Sequence, residues 1–230
     1  MNYCVFIQYI MVAQSCPREA DVLICLDQTT DGNTMDALQL TREDALLLID
    51  MQVDFLPGGK LGVPDGDAVL GPVNALLEMF ASRDLPVYAS RDWHPEDHCS
   101  FAARGGPWPP HCVAGTPGAA FSGELDLPAG TVVVSKAETA DADAYSAFNG
   151  TNLADQLRER GVRRVVACGL ATDYCVLNTV IDARANGFDV LIVPEAMRAV
   201  DVAPGDGERA IARMQELGAQ AANVGELAAA

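Results

Sequence analysis

The sequence predicts an α/β fold with a mostly parallel sheet covered by helices on both faces. Three observations carry this. Short apolar runs of strand length alternate with stretches whose apolar residues recur at helical spacing. The first of these runs ends abruptly in a carboxylate, as a buried parallel strand can. The 230 residues, 50% of them hydrophobic, suffice for one good core.

Taken in order, "ALLLI" (Ala45 to Ile49) is the first strand and ends at Asp50. "DAVLGPVNALLEMFASRD" is a helix, with Asp65 or Asp67 placed to cap it. "PVYASRD" is the second strand and ends at Asp92. Trp93 to Gly130 is then crowded with proline and glycine, and a long loop of this kind inside a compact domain tends to be functional. "TVVVSK" is the third strand and delivers Lys136 at its end. "LADQLRERG" is a helix closed by Gly161, and "RRVVACG" is the fourth strand. "TDYCVLNTVIDARANG" is a helix with Thr172 or Asp173 at its cap and Gly187 past its end. "FDVLIVP" is the fifth strand, "GDGERAIARMQELG" the last helix and "QAANV" a short edge. No repeat or linker is visible.

Residues 1–34 read as an extension outside the domain, which spans 35–230. "MNYCVFIQYIMVAQSC" is apolar but lacks the basic start of a signal peptide, and "AQSC" is a poor cleavage site. Met35 makes a natural start. The chain carries 32 acidic against 15 basic residues, formally −17, which argues against nucleic acid or anionic membranes as partners. No window approaches an uncharged membrane span. Seven scattered cysteines, an odd number, read as reduced thiols in a cytoplasmic protein. Association into a homo-oligomer is left open.

In a parallel sheet the ligand site lies beyond the carboxyl ends of the strands. Asp50, Asp92 and Lys136 sit at such ends, and Cys175 falls in the first turn after the fourth strand. Each has an ordinary reading as a turn residue, a solvated cation or a small core side chain; their joint placement points to one crevice. The positive end of a helix and a nearby lysine favour a thiolate at Cys175. A carboxylate within reach can take the thiol proton. Backbone N–H groups in "GLATDYC" are placed to hold an oxyanion. That set suits acyl transfer from an amide.

All three histidines of the chain fall between residues 94 and 111. With Asp92, the residues His94, His98 and His111 offer one hard carboxylate and three imidazoles, a set suited to one divalent metal ion such as Zn2+, Fe2+ or Mn2+. Asp92 and His94 alternate on an extended backbone and can point the same way.

The segments "LLLIDMQVDFLPGGKLGV", "SRDWHPEDHCSF", "WPPHCVAGTPGAAF", "DAYSAF" and "ACGLATDYCVLNTVIDARANGFDV" resemble the nicotinamidases (pyrazinamidases) of the isochorismatase-like cysteine hydrolase superfamily. The resemblance runs from about residue 43 to about residue 222. It implies a three-layer α/β/α Rossmann-like fold and hydrolysis of nicotinamide to nicotinate and ammonia, a step of NAD salvage, with pyrazinamide accepted too. By that analogy Asp50 is the base, Cys175 the nucleophile and Lys136 the cation that tunes the pair. A thioester forms and water cleaves it. The metal, zinc first and iron(II) or manganese(II) as alternatives, binds Asp92, His94, His98 and His111 and holds the pyridine nitrogen. Phe55, Trp108 and Tyr145 match the ring pocket. A cis peptide before Ala171 turns the N–H groups of Ala171 and Cys175 toward the oxyanion. Two features depart from the family pattern: the extension, and Val53 where some relatives carry a polar residue. A ureido or carbamoyl amide hydrolase would keep Asp50, Lys136 and Cys175 without using the histidines, and a non-enzymatic metal-binding module would not need the nucleophile.

Overall fold

The computed structural model describes residues 38–229; the extension and the start at Met35 lie outside the described residues. Six strands form the sheet: β1 (Asp44–Ile49), β2 (Val87–Asp92), β3 (Val132–Lys136), β4 (Arg164–Leu170), β5 (Asp189–Arg198) and β6 (Gln220–Ala221). Their order is β3-β2-β1-β4-β5-β6, and every pairing is parallel. The chain builds outward from β1 to β3, crosses back to β4, then builds the other way. The reversal leaves a crevice above the ends of β1 and β4, the switch point at which doubly wound sheets bind ligands.

Among the described residues five helices cover the sheet: α1 (Leu70–Ser82), α2 (Leu153–Glu159), α3 (Leu177–Ala185), α4 (Asp206–Glu216) and α5 (Val224–Ala229). β1 shows why there are three layers. All six of its residues are buried, and alternate side chains leave opposite faces of a strand. Leu46 and Leu48 pack with Val73, Leu76, Leu77 and Phe80 of α1 and Leu227 of α5. Leu47 and Ile49 pack with Leu153 and Leu157 of α2, Val180 and Ala183 of α3 and Met214 of α4. Truncating a buried leucine such as Leu47 to alanine in such a core costs roughly 2–5 kcal/mol.

Four details depart from the sequence reading. Neither Asp65 nor Asp67 caps α1; a 3₁₀ turn (Gly66–Val69) leads into it, and Val69 holds the cap position without a side-chain bond. The helix after β4 opens as a π turn (Thr172–Val176) behind Ala171, with no side-chain cap from Thr172. Asp173 instead accepts the N–H groups of Val200 and Asp201, both at 2.9 Å, so a tertiary contact takes the carboxylate away from its own helix. β5 runs on through Pro194 to Arg198. Its pairing with β4 shifts register between Ala167 and Gly169, and the residue without an N–H falls where the ladder is interrupted. Finally α5, which the sequence does not announce, follows β6. Among the described residues no helix is long and apolar enough to cross a membrane.

Candidate active site and metal centre

Asp50 is the first residue past β1 and takes the left-handed region, φ 49, which aspartate tolerates better than most side chains. Beside it, Gly169 near the end of β4 has φ 119, and a Cβ there would meet the Ile49 carbonyl at 2.1 Å. Glycine therefore lets the two strand ends close up. The Leu170–Ala171 peptide is cis, as the resemblance implies.

The β2–β3 register sets Asp92 directly opposite Lys136. Lys136 is fully buried, and its ammonium pairs with Asp92 Oδ1 and, at 2.9 Å, with Asp50 Oδ2. It also donates to the Ala144 carbonyl at 3.0 Å and lies 3.6 Å from Cys175 Sγ. An ammonium out of water needs such a set, since removal of its partners would leave an uncompensated charge. Ser90 Oγ donates to Asp50 Oδ1 at 2.6 Å. Asp50 Oδ2 touches the ammonium but has no hydrogen bond of its own. Donor atoms of Asp50, Asp92 and Cys175 lie within 4.8 Å of one another.

Burial dominates the electrostatics. It pushes the Asp50 carboxyl above its ordinary range, and Lys136 opposes this without cancelling it. It would lower the Lys136 ammonium, but Asp50 and Asp92 outweigh it and hold the lysine charged. At Asp92 burial is outweighed by Lys136 and His94, leaving that carboxyl below the usual range. The Cys175 thiol is pushed well up, by burial first; Lys136 opposes, and Asp50 and Asp92 add to the rise. Burial thus outweighs the pull of the lysine toward a thiolate. The cysteine rests as a thiol beside a carboxyl of raised affinity for protons.

On the other side of Asp92 the imidazoles gather. Asp92, His94 and His111 are buried and bring donor atoms within 4.8 Å of one another, with His94 Nε2 3.5 Å from Asp92 Oδ2. The Nδ1 atoms of His94 and His111 face the carbonyls of Ala137 (3.3 Å) and Pro109 (2.8 Å). A carbonyl on one ring nitrogen fixes the tautomer and frees the other nitrogen for an ion, as is usual for metal-binding histidines. One hard oxygen and two imidazoles thus fit a divalent transition metal. His98 is not brought into this group. Its ring stacks on His94 at 4.2 Å, with Nδ1 on Ser100 Oγ (2.7 Å) and Nε2 on the Ala142 carbonyl (3.1 Å). Burial lowers the imidazolium tendency of both His98 and His111, so both rings keep the neutral form that binds metals.

Between the two clusters lies one cavity. Cys175, Ala171, Asp92, His94 and His111 line it, together with Phe55, Trp108 and Tyr145. Trp108 Nε1 donates to the Tyr145 hydroxyl at 3.1 Å, and the Phe55 ring lies 5.7 Å from that of His111. Asp50 and Lys136 sit behind the wall, in contact with the thiol side. Tyr174 also lines the cavity, its ring 5.4 Å from that of Trp108. The sequence reading passed over Tyr174, although it directly precedes the cysteine. It also passed over Ser90, Gln52 and Asp54, all buried polar residues close to a strand end.

A buried thiol, carboxylate and ammonium at the switch point of a three-layer α/β protein, with a carboxylate–imidazole cluster across one cavity, define the class. The chain belongs to the isochorismatase family: the isochorismatase domain matches residues 44–226. It is 39% identical over 196 residues to the nicotinamidase of Escherichia coli, covering 76% of this chain and 92% of that one. The pyrazinamidase of Pyrococcus horikoshii, solved in complex with zinc, superposes with a TM-score of 0.76 at 48% identity, covering 79% of this chain and 99% of that one. PnC1 from L. infantum, solved in complex with nicotinate, superposes with a TM-score of 0.76 at 39% identity, over 82% and 96% of the two chains.

Proposed function

We propose that this chain is a metal-dependent cysteine amidohydrolase that converts nicotinamide to nicotinate and ammonia, accepts pyrazinamide, and serves NAD salvage. One observation carries the reading: the Asp50–Lys136–Cys175 contact reaches an aromatic-walled cavity whose far side is formed by imidazoles. A small ring amide fits that polarity, with its carbonyl at the thiol and its ring nitrogen at the histidines.

Asp50 Oδ2, the buried oxygen without a hydrogen bond, takes the thiol proton as sulfur attacks the amide carbon. The N–H groups of Ala171 and Cys175 hold the oxyanion. Asp50 returns the proton to the amine, ammonia leaves, and a thioester remains. Water, deprotonated by Asp50, then cleaves the thioester and regenerates the thiol. Lys136 keeps both neighbouring carboxylates in place and balances the charge that forms on sulfur. Phe55, Trp108 and Tyr145 hold the ring. Asp92, His94 and His111 would hold the metal, and His98 would join as fourth ligand on releasing the Ala142 carbonyl. The ion, when bound, supplies a Lewis-acid hold on the ring nitrogen.

The test is ammonia release from nicotinamide before and after chelation, with zinc, iron(II) or manganese(II) added back. Turnover lost on chelation and regained with one ion is the expected result. No ammonia under any condition overturns the assignment.

A further inference from the structure

The turn after Asp50 reaches across the fold to the metal ligands. Gln52 is fully buried, and its amide nitrogen donates to the carbonyls of Asp92 (2.8 Å) and Ala119 (2.9 Å). Its Oε1 accepts the Asp92 N–H at 2.7 Å. One side chain thus holds both backbone polar groups of Asp92. Two residues on, Asp54 is buried, and its Oδ2 accepts the Cys112 N–H at 2.7 Å. Cys112 directly follows His111 and takes φ 45, so this bond pins the turn from which the His111 ring projects. The other Asp54 oxygen accepts the Lys60 N–H at 3.2 Å, tying it to its own loop.

The packing leaves Asp54 little room. A Cβ on Gly118 would fall 2.2 Å from Oδ2, so glycine is required there for the carboxylate to lie where it does. Among their partners, Asp92 lies 40 residues from Gln52 and Cys112 lies 58 residues from Asp54; the first is a ligand candidate and the second the immediate neighbour of one. Neither side chain occupies a ligand's donor atom. Both act on where the ligands stand.

We propose that Gln52 and Asp54 are the positioning residues of the metal centre: Gln52 sets Asp92, and Asp54 sets His111. The inference rests on the metal reading given above. Groups that hold ligands in this indirect way typically affect metal affinity ten- to a hundredfold.

The test is the zinc affinity of the full chain, read by competition with a chromophoric chelator at a temperature well below each protein's thermal midpoint. Gln52→Glu keeps the shape and the acceptor for the Asp92 N–H but loses both donations. Asp54→Asn keeps one acceptor and sets an N–H₂ against a backbone N–H. Zinc binding weakened ten- to a hundredfold in folded variants is the expected result. A variant with a lowered midpoint but wild-type zinc affinity shows a merely structural role and overturns the proposal. If Gln52→Glu does not fold, Asp54→Asn and Gly118→Ala, which crowds the Asp54 carboxylate, decide by the same criterion. A wild-type chain that binds no zinc removes the metal reading itself, and that outcome is separate from variants that bind as well as wild type.

Discussion

The two halves of the site are positioned by different means. Asp50, Asp92 and Lys136 stand at strand ends, and the parallel register alone puts Asp92 opposite Lys136. His94, His98 and His111 stand on the long connection between β2 and β3, outside the sheet; a lone parallel bridge to Val113 ties the His94 backbone, and no strand of the sheet carries the three. Their rings are oriented instead by single contacts to Ala137, Pro109, Ala142 and Ser100. The strand-end half is rigid by construction. The loop half depends on individual hydrogen bonds, and it is therefore the half that single substitutions should degrade by steps rather than all at once.

The sharpest break of this contrast is Cys175→Ala. Ammonia release from nicotinamide should fall by at least about a thousandfold, while zinc content measured on the purified protein stays at the wild-type level. Lys136→Met comes next. It leaves Asp50 and Asp92 buried without their ammonium, and removal of one partner from a buried ionic group costs about 3–5 kcal/mol. Denaturant titration should show that loss. The loop half should respond unevenly. His94→Ala and His111→Ala should weaken zinc binding most, and His98→Ala less, because His98 must give up the Ala142 carbonyl before it can join. Chelator competition ranks the three. Equal losses would place His98 in the ligand set on the same footing. Smallest is Tyr145→Phe, which removes the acceptor of the Trp108 N–H. A bond of this kind contributes about 0.5–1.5 kcal/mol, so the KM for nicotinamide should rise by up to about tenfold with kcat little changed.

Legibility in the sequence followed the same division. Buried parallel strands are near-continuous apolar runs, so their ends, and hence Asp50, Asp92 and Lys136, could be placed from pattern alone. The clustering of the histidines marked their region, but residue type does not say which nitrogen faces which oxygen. The Ser100 and Ala142 contacts that turn His98 aside depend on a backbone path no periodicity encodes. The caps failed for a related reason. Asp173 has the right place for a helix cap, yet it serves Val200 and Asp201 across the fold. The upward push on the Cys175 thiol is not legible in the sequence, which shows the helix end and the lysine but not burial beside two carboxylates. α5 is six residues long, too short for apolar spacing to register.

Asp92 belongs to both halves, with Oδ1 on Lys136 and Oδ2 toward His94. For anyone who would re-engineer the centre for another ion, that makes the ligand positions unequal. His111 can be exchanged for a softer or harder donor without touching a partner of the lysine, whereas an exchange at His94 already bears on Asp92 Oδ2. An exchange at Asp92 would also strip a counter-charge from the lysine beside the nucleophile. In this scaffold the choice of metal and the reactivity of sulfur share one residue, and they have to be designed together.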